Sequence, residues 1–136
     1  MRKRRYFEKL EVFEGELGFI KANSAALQDD VTRRALLYAL EVCVDVVMDV
    51  VAMATRDLGL TVEDDYTNIE KLENEQVLIE REGELLRRFN GLRNAIVHRY
   101  NHLDLNAIQR GLQRMEELYE VLEKLVGVVE REGALE

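Results

Sequence analysis

At 136 residues, with 47% hydrophobic and 34% charged side chains, the chain is expected to form one soluble domain over residues 1–136, large enough to bury a core without disulfides or a structural metal. Its net charge of −8 argues against general affinity for a nucleic-acid backbone, so any RNA contact must come from a local basic patch. Cys43 is the only cysteine, which excludes an internal disulfide framework and fits a reducing compartment.

No stretch supplies the roughly 18 consecutive apolar residues of a membrane span. The basic start at residues 1–6 leads into Glu8, Glu11, Glu14 and Glu16 rather than into an apolar secretory core. The expected location is therefore the cytoplasm, with no membrane partner. Arg2, Lys3, Arg4 and Arg5 read as a fraying helix end before they read as an RNA tether.

Along the chain the apolar pattern is helical. Tyr6, Leu10, Phe13, Leu17 and Ile20 recur at spacings of four and three, one face of a first helix. Residues 23–30 are small and polar, a connection that ends in Asp29 or Asp30 as the cap of the next helix. That second helix, about 31–58, has only a thin polar stripe, Glu41, Asp45 and Asp49, and so belongs at the centre of a bundle. Val42, Val44 and Val46 alternate as a strand would, but the length of the segment and its Ala, Leu and Met content decide for helix. Gly59 is the natural stop. Cys43, Met48 and Met53 read as core residues.

Residues 60–67 read as a loop containing Asp64 and Asp65, followed by a short helix over about 68–76 and a longer one over about 80–99. Residues 101–104 break the pattern, with His102 in the loop and Asp104 as the next cap. Ile108, Leu112, Met115, Leu118, Leu122 and Leu125 then stripe a single last helix that frays at Gly133. The expected fold is all-α, an antiparallel up-and-down bundle of four long helices plus one short one.

The chemistry concentrates at the end of the fourth segment. Arg93, Asn94, His98 and Tyr100 lie within eight residues of an otherwise apolar helix. At about 100° per residue, Arg93 and Tyr100 share a face, and Asn94 and His98 share a neighbouring one. Between positions 81 and 99 five arginines (Arg81, Arg87, Arg88, Arg93, Arg99) oppose Glu82 and Glu84, a local excess of three positive charges. RNA cleavage without a metal needs a base for the ribose 2′-hydroxyl, an acid for the leaving 5′-oxygen and a cation for the phosphorane. Imidazole is the side chain suited to proton transfer near neutral pH. One histidine cannot easily act on both sides of a phosphate, which is a physical reason to expect a two-fold homodimer in which two copies of the motif meet.

The segment Arg93-Asn-Ala-Ile-Val-His98-Arg-Tyr100 resembles the R-x4-H-x-Y signature of HEPN-domain proteins, specifically the HepT-like toxins of HepT/MntA systems. The likeness extends over most of the chain, through the Ala-Leu-Glu41-Val helix, the short central helix and the turn into Asp104. It implies a type VII toxin: a metal-independent endoribonuclease that cuts cellular RNA in a cleft between two subunits and needs no cofactor. Arg93 and His98 would be the catalytic pair, with Asn94 and Arg99 binding or orienting phosphate. Tyr100 matches the tyrosine to which an MntA-like minimal nucleotidyltransferase antitoxin adds AMP, placing bulk and negative charge where substrate phosphate must sit. Glu73, Glu75, Glu80, Glu82 and Glu84, just before the motif, narrow the basic surface.

Blander readings stand beside these. Arg93 suits a salt bridge to the acidic stripe of the second helix, His98 a capping or core histidine, and Tyr100 a packing residue at a helix end. The alternative function is a non-catalytic module that binds nucleotide or a nucleotidyltransferase. A carboxylate-bridged metal site at Glu41, Asp45 and Asp49 lacks the Glu-x-x-His pair such bundles use, and a solvated or arginine-paired stripe is expected instead.

Overall fold

The structure is a computed structural model that describes residues 2–99 and 102–132, the side chains of Arg2 and Arg99 excepted. Among the described residues the chain forms six α-helices and no strand. They are α1 (Arg2–Asn23), α2 (Asp30–Asp57), α3 (Asp65–Asn74), α4 (Glu80–Arg99), α5 (Leu105–Leu112) and α6 (Met115–Arg131), with one 3₁₀ turn at Ser24–Ala26.

Contacts across the helices set their directions. Tyr6 donates from its hydroxyl to Asp57 at 2.9 Å and Lys9 reaches Asp49 at 2.8 Å, so α1 and α2 are antiparallel. Lys3 pairs with Glu130 at 3.3 Å, and Lys21 pairs with Glu116, so α1 also opposes α6. Lys124 binds Glu82 at 2.6 Å while Gly111 abuts Leu92, which sets α4 against α5 and α6. The all-α antiparallel bundle expected from the periodicity is the fold observed. The basic start joins α1, with Lys3 and Arg4 in ion pairs to Glu130 and Glu8.

α2 is the centre. It touches α1, α3, α4 and α6, and Leu36, Leu40, Cys43, Val47, Val50, Val51 and Ala54 on it are wholly buried. Tyr6, Phe13 and Ile20 of α1 and Leu118, Leu122 and Leu125 of α6 close the core around it. Each such side chain contributes about 1.5–3 kcal/mol by leaving water. Burial, with Glu16 nearby as the lesser cause, pushes the Cys43 thiol up to about 12, so it stays protonated and packs as a core residue.

Local chemistry fixes the helix ends. Asp29, not Asp30, caps α2 by accepting from Thr32 N at 2.9 Å, and Asp64 caps α3 through Thr67 N at 2.7 Å. The Asp64 cap starts α3 at Asp65, so the helix expected from Asn68 begins three residues earlier. Asn68 is instead buried inside α3, where its amide accepts from Glu63 N and donates to Glu63 O, latching the loop before it. α2 ends as the glycine predicts. Gly59, at φ +86°, donates to Arg56 O, and Leu60 donates to Thr55 O, both at 3.0 Å. α3 ends in the same bond pattern with Gln76 at φ +61°, a conformation that costs a side-chain-bearing residue about 1–2 kcal/mol.

One expectation is corrected. The single last helix is broken at Gln113 and Arg114 into α5 and α6. The turn tightens as Arg114 N bonds Gly111 O at 2.9 Å, and α6 begins without a side-chain cap. Both pieces keep their stripes inward, since Ile108, Leu112, Met115 and Leu118 are all buried. The apolar spacing therefore runs unbroken through the bend.

Two stability predictions come from the helix ends. Gln76→Gly should raise unfolding free energy by about 0.5–1 kcal/mol, the relief of the left-handed cost less the extra chain entropy of glycine; urea denaturation checks this, and an unchanged midpoint counts against it. Hydrogen bonds from Thr32 and Thr67 hold the Asp29 and Asp64 carboxyls below their usual range. Their stabilisation is complete above the ordinary carboxylate value and is lost as pH falls through the lowered one. Acid titration of Asp29→Asn beside the parent should show a shallower fall for the variant below pH of about 4.

Candidate functional site

The site is built on the C-terminal half of α4. Leu86, Phe89 and Ile96 bury one side of this helix against the bundle, with Arg93 within their arc, Asn94 at its edge and His98 turned to the surface. Arg93 is half-buried. Its Nε donates to Asp45 Oδ1 on α2 at 2.7 Å, and its Nη1 donates to Asn94 Oδ1 at 3.1 Å. The arginine-paired reading of the acidic stripe therefore holds at Asp45, and Asp49 is paired with Lys9. Among the described residues no three His, Cys, Asp or Glu side chains converge as a metal-binding group.

The tether leaves Arg93 chemically capable. A guanidinium has five N–H donors, and the two bonds above use one at Nε and one at Nη1. The Nη edge remains to fork onto a phosphate, with its plane already fixed by Asp45 and Asn94. Asn94 thus orients Arg93 from one position along the helix.

His98 is exposed in the last turn of α4. Five residues separate it from Arg93, about 140° around the helix and about 7.5 Å along it. The two groups flank one corner of the molecule and do not touch each other within the subunit. Tyr100, assigned the modification role, lies outside the described residues, as does the side chain of Arg99.

Sequence reasoning missed Asn90. It is 2% exposed, and its Oδ1 has no hydrogen-bond partner among the described residues. It stands four residues before Asn94 and eight before His98, on the same side of α4. A polar residue in the register of Leu86 and Phe89 was the available signal.

The glutamates preceding the motif pair with nearby cations. Glu73 forms an ion pair with Arg87, Glu84 with Arg88 at 3.4 Å, and Glu82 with Lys124 at 2.6 Å. Gly83 admits the first of these, because a Cβ there would overlap a Glu73 carboxylate oxygen.

An all-helical bundle that offers arginine and histidine five apart at the end of one helix has the form of a HEPN domain. Residues 6–125 match the Ribonuclease HepT-like family, and the chain belongs to that family. A candidate RNase of Archaeoglobus fulgidus is 56% identical over 131 residues, covering 96% of this chain and 98% of the relative. A candidate RNase of Methanocaldococcus jannaschii is 49% identical over 83 residues, 60% of this chain and 95% of the relative. Among solved structures, a tri-AMPylated Shewanella oneidensis HEPN toxin in complex with an MNT antitoxin superposes with a TM-score of 0.73 at 18% identity, covering 93% of this chain and 96% of that one. A toxin–antitoxin crystal structure with AMP-PNP gives a TM-score of 0.72, also at 18% identity, covering 91% of this chain and 96% of that one. At that identity the two structures establish the fold.

Asp45→Asn keeps an acceptor for Arg93 and removes the charge. Both side chains are partly exposed, 31% for Arg93 and 45% for Asp45. The substitution should therefore cost no more than about 1 kcal/mol in a urea titration. A loss of about 3 kcal/mol or more would mean that the pair is desolvated far beyond this geometry.

Proposed function

We propose that this chain is the toxin of a type VII, HepT/MntA-like pair, an endoribonuclease that cuts cellular RNA without a metal ion and acts in the cytoplasm. The observation that carries the reading is the pre-oriented guanidinium of Arg93 on the same helix end as an exposed His98. Membership of the Ribonuclease HepT-like family and the two relatives named as candidate RNases support it.

In this mechanism His98 of one subunit takes the proton of the ribose 2′-hydroxyl. The 2′-oxygen bonds to phosphorus, the bond to the 5′-oxygen breaks, and His98 of a second copy returns a proton to the leaving oxygen. Arg93 holds the charge that builds on the phosphorane oxygens, with Asn94 and Arg99 positioning phosphate. A homodimer supplies the second set. Exposed apolar side chains beside the site support such an interface: Val97 of α4 is 40% exposed, Val31 of α2 78% and Tyr38 of α2 64%. The start of α2, which carries Val31 and Tyr38, lies toward the C-terminal half of α4, since Leu92 abuts Gly111 of α5 and Gln109 of α5 reaches Ser24 O just before α2.

The partner in this reading is an MntA-like minimal nucleotidyltransferase that silences the toxin by adding AMP to Tyr100. The MNT antitoxin bound to the similar Shewanella toxin supports it. No helix among the described residues is long and apolar enough to cross a membrane.

Cleavage of labelled RNA in excess chelator tests the reading. His98→Ala should lower the rate by about 10²–10⁴, and Arg93→Ala by about 10²–10³, with dimer mass and helicity unchanged. Wild-type cleavage that stops on chelation would sink the metal-free mechanism. Variants that cut as fast as wild type would sink the assignment of the pair. RNA binding without cleavage would leave the non-catalytic binding module in its place. Co-expression with the nucleotidyltransferase should add AMP to the intact protein, and Tyr100→Phe should remove that mass increment.

A further inference from the structure

α4 and α5 enclose a second feature that the motif does not use. Between them runs a groove of about 360 Å³ whose lining includes Phe89, Gly91 and Leu92 of α4. The charged side chains that line it are Arg88, Arg110 and Arg114, with no carboxylate. Glu84 pairs with Arg88 at 3.4 Å and Glu117 with Arg114 at 3.1 Å, both from outside the lining. Among the described residues Arg110 forms no ion pair, so three arginines against those two glutamates leave the groove with a local positive excess. The volume suits a ligand of nucleotide size.

The groove also points at the catalytic corner. Gly91 and His98 are seven residues apart, so they share a face of α4 to within about 20°, with His98 about 10 Å farther along. Gly91 borders the groove, and a Cβ built on it meets no atom within 4 Å. The lining is thus open on the side of α4 that leads to His98.

We infer that this groove receives a single-stranded segment of the RNA substrate and leads it to His98, an inference that rests on the ribonuclease reading. An apolar floor that includes Phe89, with arginines beside it, matches what an unpaired strand offers, a base face to bury and phosphates to neutralise. A duplex keeps its base faces stacked and gains nothing from the floor. The arginines also answer how a chain of this charge holds RNA, since phosphate neutralisation is gathered into one channel.

The test uses the full chain carrying His98→Ala, so that RNA is bound without turnover, and a fluorescein-labelled single-stranded oligoribonucleotide followed by anisotropy over a range of salt. Adding Arg110→Glu should weaken binding by about tenfold or more. It should also flatten the salt dependence by about 0.7 in log–log slope for each phosphate that the variant no longer neutralises. Adding Gly91→Leu fills the groove from a position with open space and should weaken binding by a similar factor, with the sedimentation and circular dichroism of the parent. A duplex of equal length should bind more weakly than the strand. Unchanged affinity and slope in both variants would overturn the inference. So would conversion of dimer to monomer by either variant, because the groove would then hold a second copy. In the background that retains His98, Arg110→Glu cutting RNA as fast as wild type would reject the groove and leave the nuclease standing. Strand binding that depends on the groove, in a wild-type protein that never cuts, would reject the nuclease and leave the groove.

Discussion

Asp45, on the most buried helix of the bundle, holds Nε of Arg93 at 2.7 Å, and the geometry of the motif follows from that tether. An arginine near the end of an exposed helix would sample many rotamers, losing up to about 2 kcal/mol of side-chain entropy on binding a phosphate. Here the cost is met during folding, when α2 docks on α4. The pair itself adds little stability because water reaches both partners. Its value lies in direction. Nε and one Nη1 hydrogen are engaged, and those two bonds leave three N–H donors of the guanidinium unused.

The same reasoning explains how an acidic chain carries a basic site. Most arginines and lysines of the bundle are engaged locally: Arg87 with Glu73, Lys124 with Glu82, Lys9 with Asp49, Lys71 with Glu63. Those pairs cancel charge near the helices that bear them. In the α4–α5 groove three arginines face two such carboxylates, Glu84 and Glu117, which leaves a local positive excess at Arg110. A net charge of −8 gives little long-range attraction for a polyanion, so any anion site must lie where cations outnumber their partners.

Helix positions, the central rank of α2, the cap at Asp104 and, as one of two neighbouring aspartates, the cap at Asp29 were legible in the sequence because each rests on short-range chemistry. The apolar stripe of α2 needs only the helical period, and a carboxylate before a helix needs only free N–H groups; Asp104 takes two of them, at 3.0 and 3.2 Å. The cap at Asp64 rests on the same chemistry yet was not legible, because a polar loop and a polar first turn read alike. The break at Gln113 was hidden for another reason: a bend that keeps every apolar residue inward does not disturb the spacing. Within the site, the residue types of Arg93, Asn94 and His98 were readable, and the acidic stripe was a visible candidate partner for the arginine. That Asp45 in particular takes it could not be read, since it depends on how two helices align across 48 residues of sequence.

The break and the groove meet at Gly111, whose carbonyl accepts from Arg114 N at 2.9 Å and which lines the groove. A Cβ at that position would lie 2.7 Å from Leu92 Cδ1, closer than packed atoms approach, so the absence of a side chain lets α5 settle on α4. Past the bend, Leu118, Leu122 and Leu125 of α6 are fully buried. The turn at Gln113 and Arg114 leaves Arg110 on the last turn of α5 and Arg114 at the bend, both lining the same channel. A feature that looks like an irregularity in a bundle is thus what sets two arginines opposite Arg88 across an apolar floor. Gly111 is where α5 comes close to α4, and the same α4 that forms a wall of the groove carries Arg93 and His98 toward its end.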